Sequence, residues 1–211
     1  LTISCWNSDW ATPTSKRGKF FINKFDSDII CFTEGYEILL PHDGYIISSH
    51  EDYGYKTKKG RKKVILWSKN KWTEVNQIGS KEIPTGRFIS GVTNGIKIVG
   101  LCIPWRFAHV STGRKDRKPW EDHLSFIKNL SFSNEKTIIL GDFNQNIPKK
   151  NQPEIVFSSL KKMIDGFNLL TSNMGLIHIV ISNDLSAENL KRIATENNSD
   201  HDGISCSIKY S

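Results

Sequence analysis

The sequence predicts an α/β protein made of two strand-rich halves, each flanked by helices. Three observations carry this. Short apolar runs of β character recur from one end to the other, stretches with helical spacing lie between them, and the 211 residues hold no repeat, low-complexity tract or interdomain linker. A chain of this length with 37% hydrophobic residues can bury a useful core, so residues 1–211 are expected to form a single domain.

Leu1 to Trp6 is a β-rich run, followed by a polar loop with Pro13 and then by Ser15 to Phe25, whose aromatic and basic residues fall at helical spacing. Asp28 to Thr33 is continuously apolar and ends in Glu34, as a strand buried on both faces would with a polar residue at its tip. Further strands are expected at Gly44 to Ser48, Lys63 to Ser68, Trp72 to Ile78, Phe88 to Val92 and Ile96 to Pro104, with Thr93-Asn94-Gly95 as a hairpin turn. This middle block reads as antiparallel. Trp120 to Leu130 and Glu154 to Phe167 place their apolar residues on one helical face, and Lys136 to Leu140 is a strand leading into Gly141-Asp142-Phe143-Asn144. Leu176 to Ser182 is a strand, Leu185 to Thr195 reads as a helix capped by Ser186, and Ile204 to Ile208 closes the fold as a strand.

The formal net charge is +7, and the basic residues cluster at Lys56 to Lys63, Arg114 to Lys118 and Lys149-Lys150. Such a surface suits a polyanion. Lysine-rich loops can also be merely solvated, but these three lie in loops that lead into or away from the strand ends carrying the polar motifs. Cys5, Cys31, Cys102 and Cys206 each sit inside an apolar run with no paired spacing, so they read as buried, reduced thiols. That favours a reducing, cytoplasmic or nuclear setting, with a removed leader left open. No run approaches the roughly eighteen apolar residues of a membrane span, so no membrane partner is expected, and the chain is expected to be a monomer.

Four short motifs stand at or near strand ends: Trp6-Asn7, Thr33-Glu34, Gly141-Asp142-Phe143-Asn144 and Ser199-Asp200-His201-Asp202. Their side chains are complementary. Glu34 and Asp200 are hard oxygen donors suited to a magnesium-type ion, Asp142 can deprotonate a water, and Asn7, Asn144 and His201 can hold a phosphoryl group. In this order the motifs resemble those of the endonuclease/exonuclease/phosphatase superfamily, the DNase I-like metallo-phosphoesterases, across nearly the whole chain. The resemblance implies a four-layer α/β/β/α sandwich of two mainly antiparallel sheets flanked by helices, with the site where the sheets meet. It also implies roles: Glu34, with Asp200 and Asn7, for Mg2+ or Mn2+; Asp142 for the attacking water; Asn144 and His201 for the scissile phosphate.

Two positions depart from the family's pattern. Ile177 stands where an acid usually orients the catalytic histidine, a task that Asp202 or Asp184 would then inherit. Cys102 stands where nuclease members usually present Tyr or His to phosphate, and Arg106 and Arg114 are the expected replacements. Trp105 and His178 complete the expected substrate side, His178 as a strand histidine bordering the site rather than a catalyst.

Three readings of the substrate remain. The first is a nuclease acting on DNA before RNA, with Tyr53, Tyr55, Trp105 and Trp120 beside the basic loops able to stack on bases. The second is a phosphatase or phosphodiesterase on a small-molecule or lipid phosphate. The third is a catalytically weak member of the fold that only binds nucleic acid.

Overall fold

Two six-stranded sheets lie face to face in the computed structural model, which describes residues 1–22, 24–51, 58–77, 85–108 and 118–210. The first sheet has the order β11-β12-β1-β2-β4-β3, using β1 (Thr2–Asn7), β2 (Ile29–Gly35), β3 (Tyr45–Ser48), β4 (Lys62–Ser68), β11 (Leu185–Ile193) and β12 (Gly203–Tyr210). The second has the order β5-β6-β7-β8-β10-β9, using β5 (Thr73–Asn76), β6 (Phe88–Thr93), β7 (Ile96–Cys102), β8 (Thr137–Asp142), β9 (Phe167–Leu169) and β10 (Ile177–Ser182). The two sheets repeat one pattern of directions. In each a central parallel pair, β1 with β2 or β7 with β8, is flanked by antiparallel neighbours.

Alternation along the strands builds three apolar layers. Ile3, Cys5, Ile29, Cys31, Ile98, Cys102, Ile138, Leu140, Ile177 and Ile179 point between the sheets. The intervening residues Trp6, Ile30, Phe32, Ile65 and Trp67 face outward onto Phe21 of α1 (Lys16–Ile22) and the 3-10 turn Glu37–Leu39. Val99, Leu101, Ile139 and Val180 face outward onto Phe126 and Ile127 of α2 (Glu121–Lys128) and Leu160 and Met163 of α3 (Glu154–Met163). With both faces covered, the central strands have no solvent side and read as unbroken apolar runs. This is the expected four-layer sandwich.

Asn94 and Gly95 both adopt positive φ, 54° and 71°, as the tight turn from β6 to β7 requires. One element differs from expectation. Leu185 to Ile193 is an edge strand rather than a helix, pairing antiparallel with β12 through a bulge between Glu188 and Lys191. Its Leu, Ala, Glu and Lys residues favour helix when isolated, but the free edge of β12 needs hydrogen-bond partners, and that tertiary demand outweighs a weak local preference. The helix expected to Phe167 also ends at Met163, a turn follows, and Phe167 opens β9. Among the described residues no helix is long and apolar enough to cross a membrane.

Because β1 and β2 run parallel, as do β7 and β8, their C-terminal tips converge at one end of the sandwich. Asn7 and Glu34 arrive there from the first sheet and Asp142 from the second. Gly141, just before Asp142, has φ 146°, and a Cβ there would stand 1.9 Å from Leu101 O. Gly141→Ala must therefore displace β7 or β8. A loss of about 2 kcal/mol or more in urea unfolding is expected, together with loss of activity through Asp142. A variant as stable as the parent would show that the strand tip has room to give.

Candidate active site

Asp142 lies at the floor of a cleft of about 270 Å3 lined by Glu34, Lys63, Arg87, Trp105, Asp142, Asn144, Leu176, Asp200 and His201. Its carboxylate is held from both sheets: Asn7 Nδ2 donates to Oδ2 at 3.0 Å, and the backbone N–H of Asn144 donates to Oδ1 at 2.9 Å. On either side in the sheet its register partners are Cys102 of β7 and Ile177 of β10, and in-register side chains share a face. The two positions that depart from the family's pattern thus flank the same carboxylate. Both are buried and apolar, and burial pushes Asp142 up to about 6 against the pull of nearby His201, with Glu34's negative charge adding to the rise. A carboxyl so poised can exchange a proton with water near neutral pH.

The Asn7 amide is engaged on both sides. Its Oδ1 accepts the Asp9 N–H at 2.7 Å while its Nδ2 serves Asp142, so both ends of the amide are used to fix the base. Asn144 gives its Nδ2 to Ile103 O at 2.8 Å, which anchors the turn after β8 while the residue borders the cleft. Asp200 Oδ1 lies 3.5 Å from His201 Nε2, and the Asp200 side chain is 65% exposed at the rim. Asp202 and Asp184 do not orient His201. Asp202 accepts the Thr195 N–H, and Asp184 accepts Ser182 Oγ and the Lys136 N–H, so both are occupied elsewhere.

His178 is not on the substrate side. It is fully buried, its Nε2 is 2.9 Å from Gln145 O and its Nδ1 is 2.9 Å from Thr171 Oγ1, and burial lowers it to about 4. Neutral, it donates to the carbonyl and accepts from the hydroxyl. A second buried histidine, His123, does similar work: Nδ1 is 2.6 Å from Pro104 O and Nε2 is 2.7 Å from Gln145 Nε2, and burial lowers it too, to about 4. The two imidazoles hold Gln145 from two sides, one at its carbonyl and one at its side-chain amide. Trp120, expected to be available for stacking, instead packs edge-on against His123 at 5.0 Å.

Trp105 lines the cleft and is 43% exposed. Arg106 stacks over Phe107 at 4.7 Å and does not border the cleft, while Arg114, Tyr53 and Tyr55 lie outside the described residues. The run from Lys56 to Lys63 divides. Lys58 and Lys59 are exposed, Lys62 faces Glu51 at 3.8 Å, and Arg61 donates to Tyr36 Oη and sits 4.7 Å from the Trp10 ring. Lys63 turns inward onto Glu34.

Lys63 and Arg87 are therefore functional candidates that the motifs did not single out. Arg87, buried just before β6, donates from Nη1 to Cys102 O at 3.3 Å and borders the cleft. The available signal was register: β2 and β4 pair Thr33 with Val64 and Gly35 with Lys62, which sets Lys63 beside Glu34. Among the described residues no group of three or more His, Cys, Asp or Glu side chains is gathered closely enough to hold a metal. Glu34 and Asp200 nevertheless face one cleft, and a magnesium-type ion that keeps its waters needs only one or two carboxylates.

A sequence profile of the endonuclease/exonuclease/phosphatase family matches residues 21–151, more than half of the chain and the span from α1 through the Asp142 turn. The chain belongs to that family, and it is a phosphoesterase by class. No curated protein matches it in sequence. Among solved structures it is similar to an AP endonuclease from Archaeoglobus fulgidus, with TM-score 0.70, 14% identity, and 98% of each chain covered. It is also similar to the 3′ phosphatase NExo from Neisseria bound to product DNA hairpin, with TM-score 0.71, 14% identity and full coverage of both chains. A humanized D. rerio TDP2 matches with TM-score 0.64 at 16% identity, over 99% of this chain and 98% of that one. At such identities the likeness concerns the fold.

Two outcomes follow from this geometry. His178→Phe keeps an aromatic ring but leaves Gln145 O without its donor and the Thr171 hydroxyl without its acceptor, so it should cost about 1–3 kcal/mol in thermal or urea unfolding and lower kcat with KM little changed. A matching rise in KM alone would return His178 to the substrate. Asn7→Ala removes a donor that favours the charged carboxylate, so Asp142 should titrate higher still. The acid limb of the kcat/KM profile, centred near pH 6 in the parent, should then move to higher pH. An unmoved limb would assign that limb to another group.

Proposed function

We propose that the protein is a divalent-metal-dependent phosphodiester hydrolase, a nuclease acting on DNA ahead of RNA by in-line attack of an activated water. The observation that carries this is a buried carboxylate, Asp142, held by Asn7 and the Asn144 N–H beside His201 in a cleft bordered by two further acids. Asp142 takes the proton of the attacking water. His201, when protonated, and Arg87 hold the charge that grows on the non-bridging oxygens, where a preformed cation is worth most. A divalent ion held by Glu34 and Asp200 would supply Lewis-acid polarisation of the phosphoryl oxygen. Asn144, fixed through Ile103 O, keeps the floor of the cleft rigid while this happens.

Support for a polynucleotide comes from the net charge of +7 and from Trp105 exposed at the cleft. The Neisseria relative was solved with a product DNA hairpin, which favours DNA over RNA.

The test is incubation of the protein with plasmid, single-stranded DNA, RNA and a chromogenic phosphodiester, each with magnesium, manganese or chelator. Polynucleotide cleavage that chelator abolishes is expected. Turnover of small esters alone would replace the nuclease reading with a small-phosphoester hydrolase, and salt-sensitive binding without turnover would make the protein a binding member of the fold. Glu34→Gln keeps shape and removes charge, so cleavage should fall by orders of magnitude and recover in part with excess manganese. His201→Ala should lower kcat far more than it raises KM, because its charge acts on the transition state.

A further inference from the structure

Lys63 is an ammonium group where an ion would be expected. Its side chain is only 3% exposed, its Nζ bonds Glu34 Oε1, and it stands 4.9 Å from the centroid of the Trp10 ring. A buried lysine persists only where its charge is matched, and here a carboxylate and an aromatic face supply the match. The seat is built by the backbone as well. Glu34 adopts a left-handed φ of 53°, and its carbonyl accepts both the Trp10 N–H at 2.8 Å and Ser8 Oγ at 2.6 Å. Trp10 therefore fixes the strand tip that presents Glu34 and also covers the cation bound to it.

We propose that Lys63 is a resident counter-cation that occupies Glu34 and competes with a divalent metal for that carboxylate. The inference rests on the metal-dependent reading of the site and adds to it a role for a buried residue of the cleft wall. A carboxylate already neutralised by an ammonium attracts a second cation less, and the incoming ion is also repelled by the lysine it must displace. Two consequences follow. Metal should bind the free protein weakly, and Glu34 should stay satisfied while no metal is bound.

The test reads metal binding and not activity. Free Mn2+ is measured by electron paramagnetic resonance during titration of the parent, Lys63→Met, Glu34→Gln and the double variant, all without substrate. Lys63→Met should bind one Mn2+ roughly tenfold or more tightly than the parent, a change of about 1.4 kcal/mol, and adding Glu34→Gln should erase the gain. Affinity that is unchanged or weaker in a folded Lys63→Met would overturn the proposal and make Lys63 a support of the metal seat. Lys63→Gln serves where the methionine variant does not fold, since it removes the charge but keeps a donor toward Glu34, and the same two outcomes decide. Failure here is separate from failure of the functional reading. Cleavage by the parent that survives chelator sinks metal dependence, whereas chelator-sensitive cleavage with no tightening in the Lys63 variants sinks only the competition.

Discussion

The hydrogen bond from Asn7 to Asp142 joins the two sheets at the one end where their parallel strands finish together. Asn7 closes β1 in the first sheet and Asp142 closes β8 in the second, 135 residues further along the chain. Between the strands the faces meet mainly through apolar side chains, which hold the layers together without fixing their relative position closely, and the buried Ser68–Thr93 hydroxyl contact at 3.1 Å is a second polar tie, between β4 and β6. A directional bond at the tip sets that position where chemistry needs it. It also opposes the desolvation of Asp142, since a carboxylate buried against Cys102 and Ile177 without donors would be costly.

Around that bond the backbone is held in an uncommon conformation. Asp9, Trp10, Glu34 and Asn144, none of them glycine, have φ of 45°, 58°, 53° and 51°. Each such residue carries a local cost, and such costs are kept where the surroundings fix them and the site gains in return. Here the surroundings are explicit. Ser8 and Trp10 bond the Glu34 carbonyl, Asn7 caps Asp9, and the Asn144 N–H bonds Asp142. Two neutral buried histidines then clamp the following residue, Gln145. Rigidity at the floor of the cleft thus comes from loops bonded to strand tips.

Much of this was legible in the sequence wherever one residue type has one fate. Strands covered on both faces announced themselves as unbroken apolar runs, and the polar residues at their ends marked the cleft. Legibility failed where a residue's role depends on a distant partner. Leu185 to Ile193 is strand because β12 has an edge to fill, which no local pattern records. His178 carries the chemistry of a site residue, yet its strand points it at Gln145 and Thr171. Lys63 read as one more charge in a basic loop, and only the pairing of β4 with β2 turns it inward.

The balance of charge in the cleft bears on what enters it. Glu34, Asp142 and Asp200 face Lys63, Arg87 and His201 within one pocket, so the acids are largely matched before any ligand arrives. A cleft of acids alone would repel phosphate and depend on metal to reverse its sign. This one has two permanent cations among its walls, one held by the acid best placed for a metal and one fixed by the Cys102 carbonyl. Phosphate can therefore be drawn in by the protein's own charges. A divalent ion held by Glu34 and Asp200, as proposed above, would then be needed less for drawing phosphate in than for the charge that develops as the bond breaks, where a cation contributes most to rate.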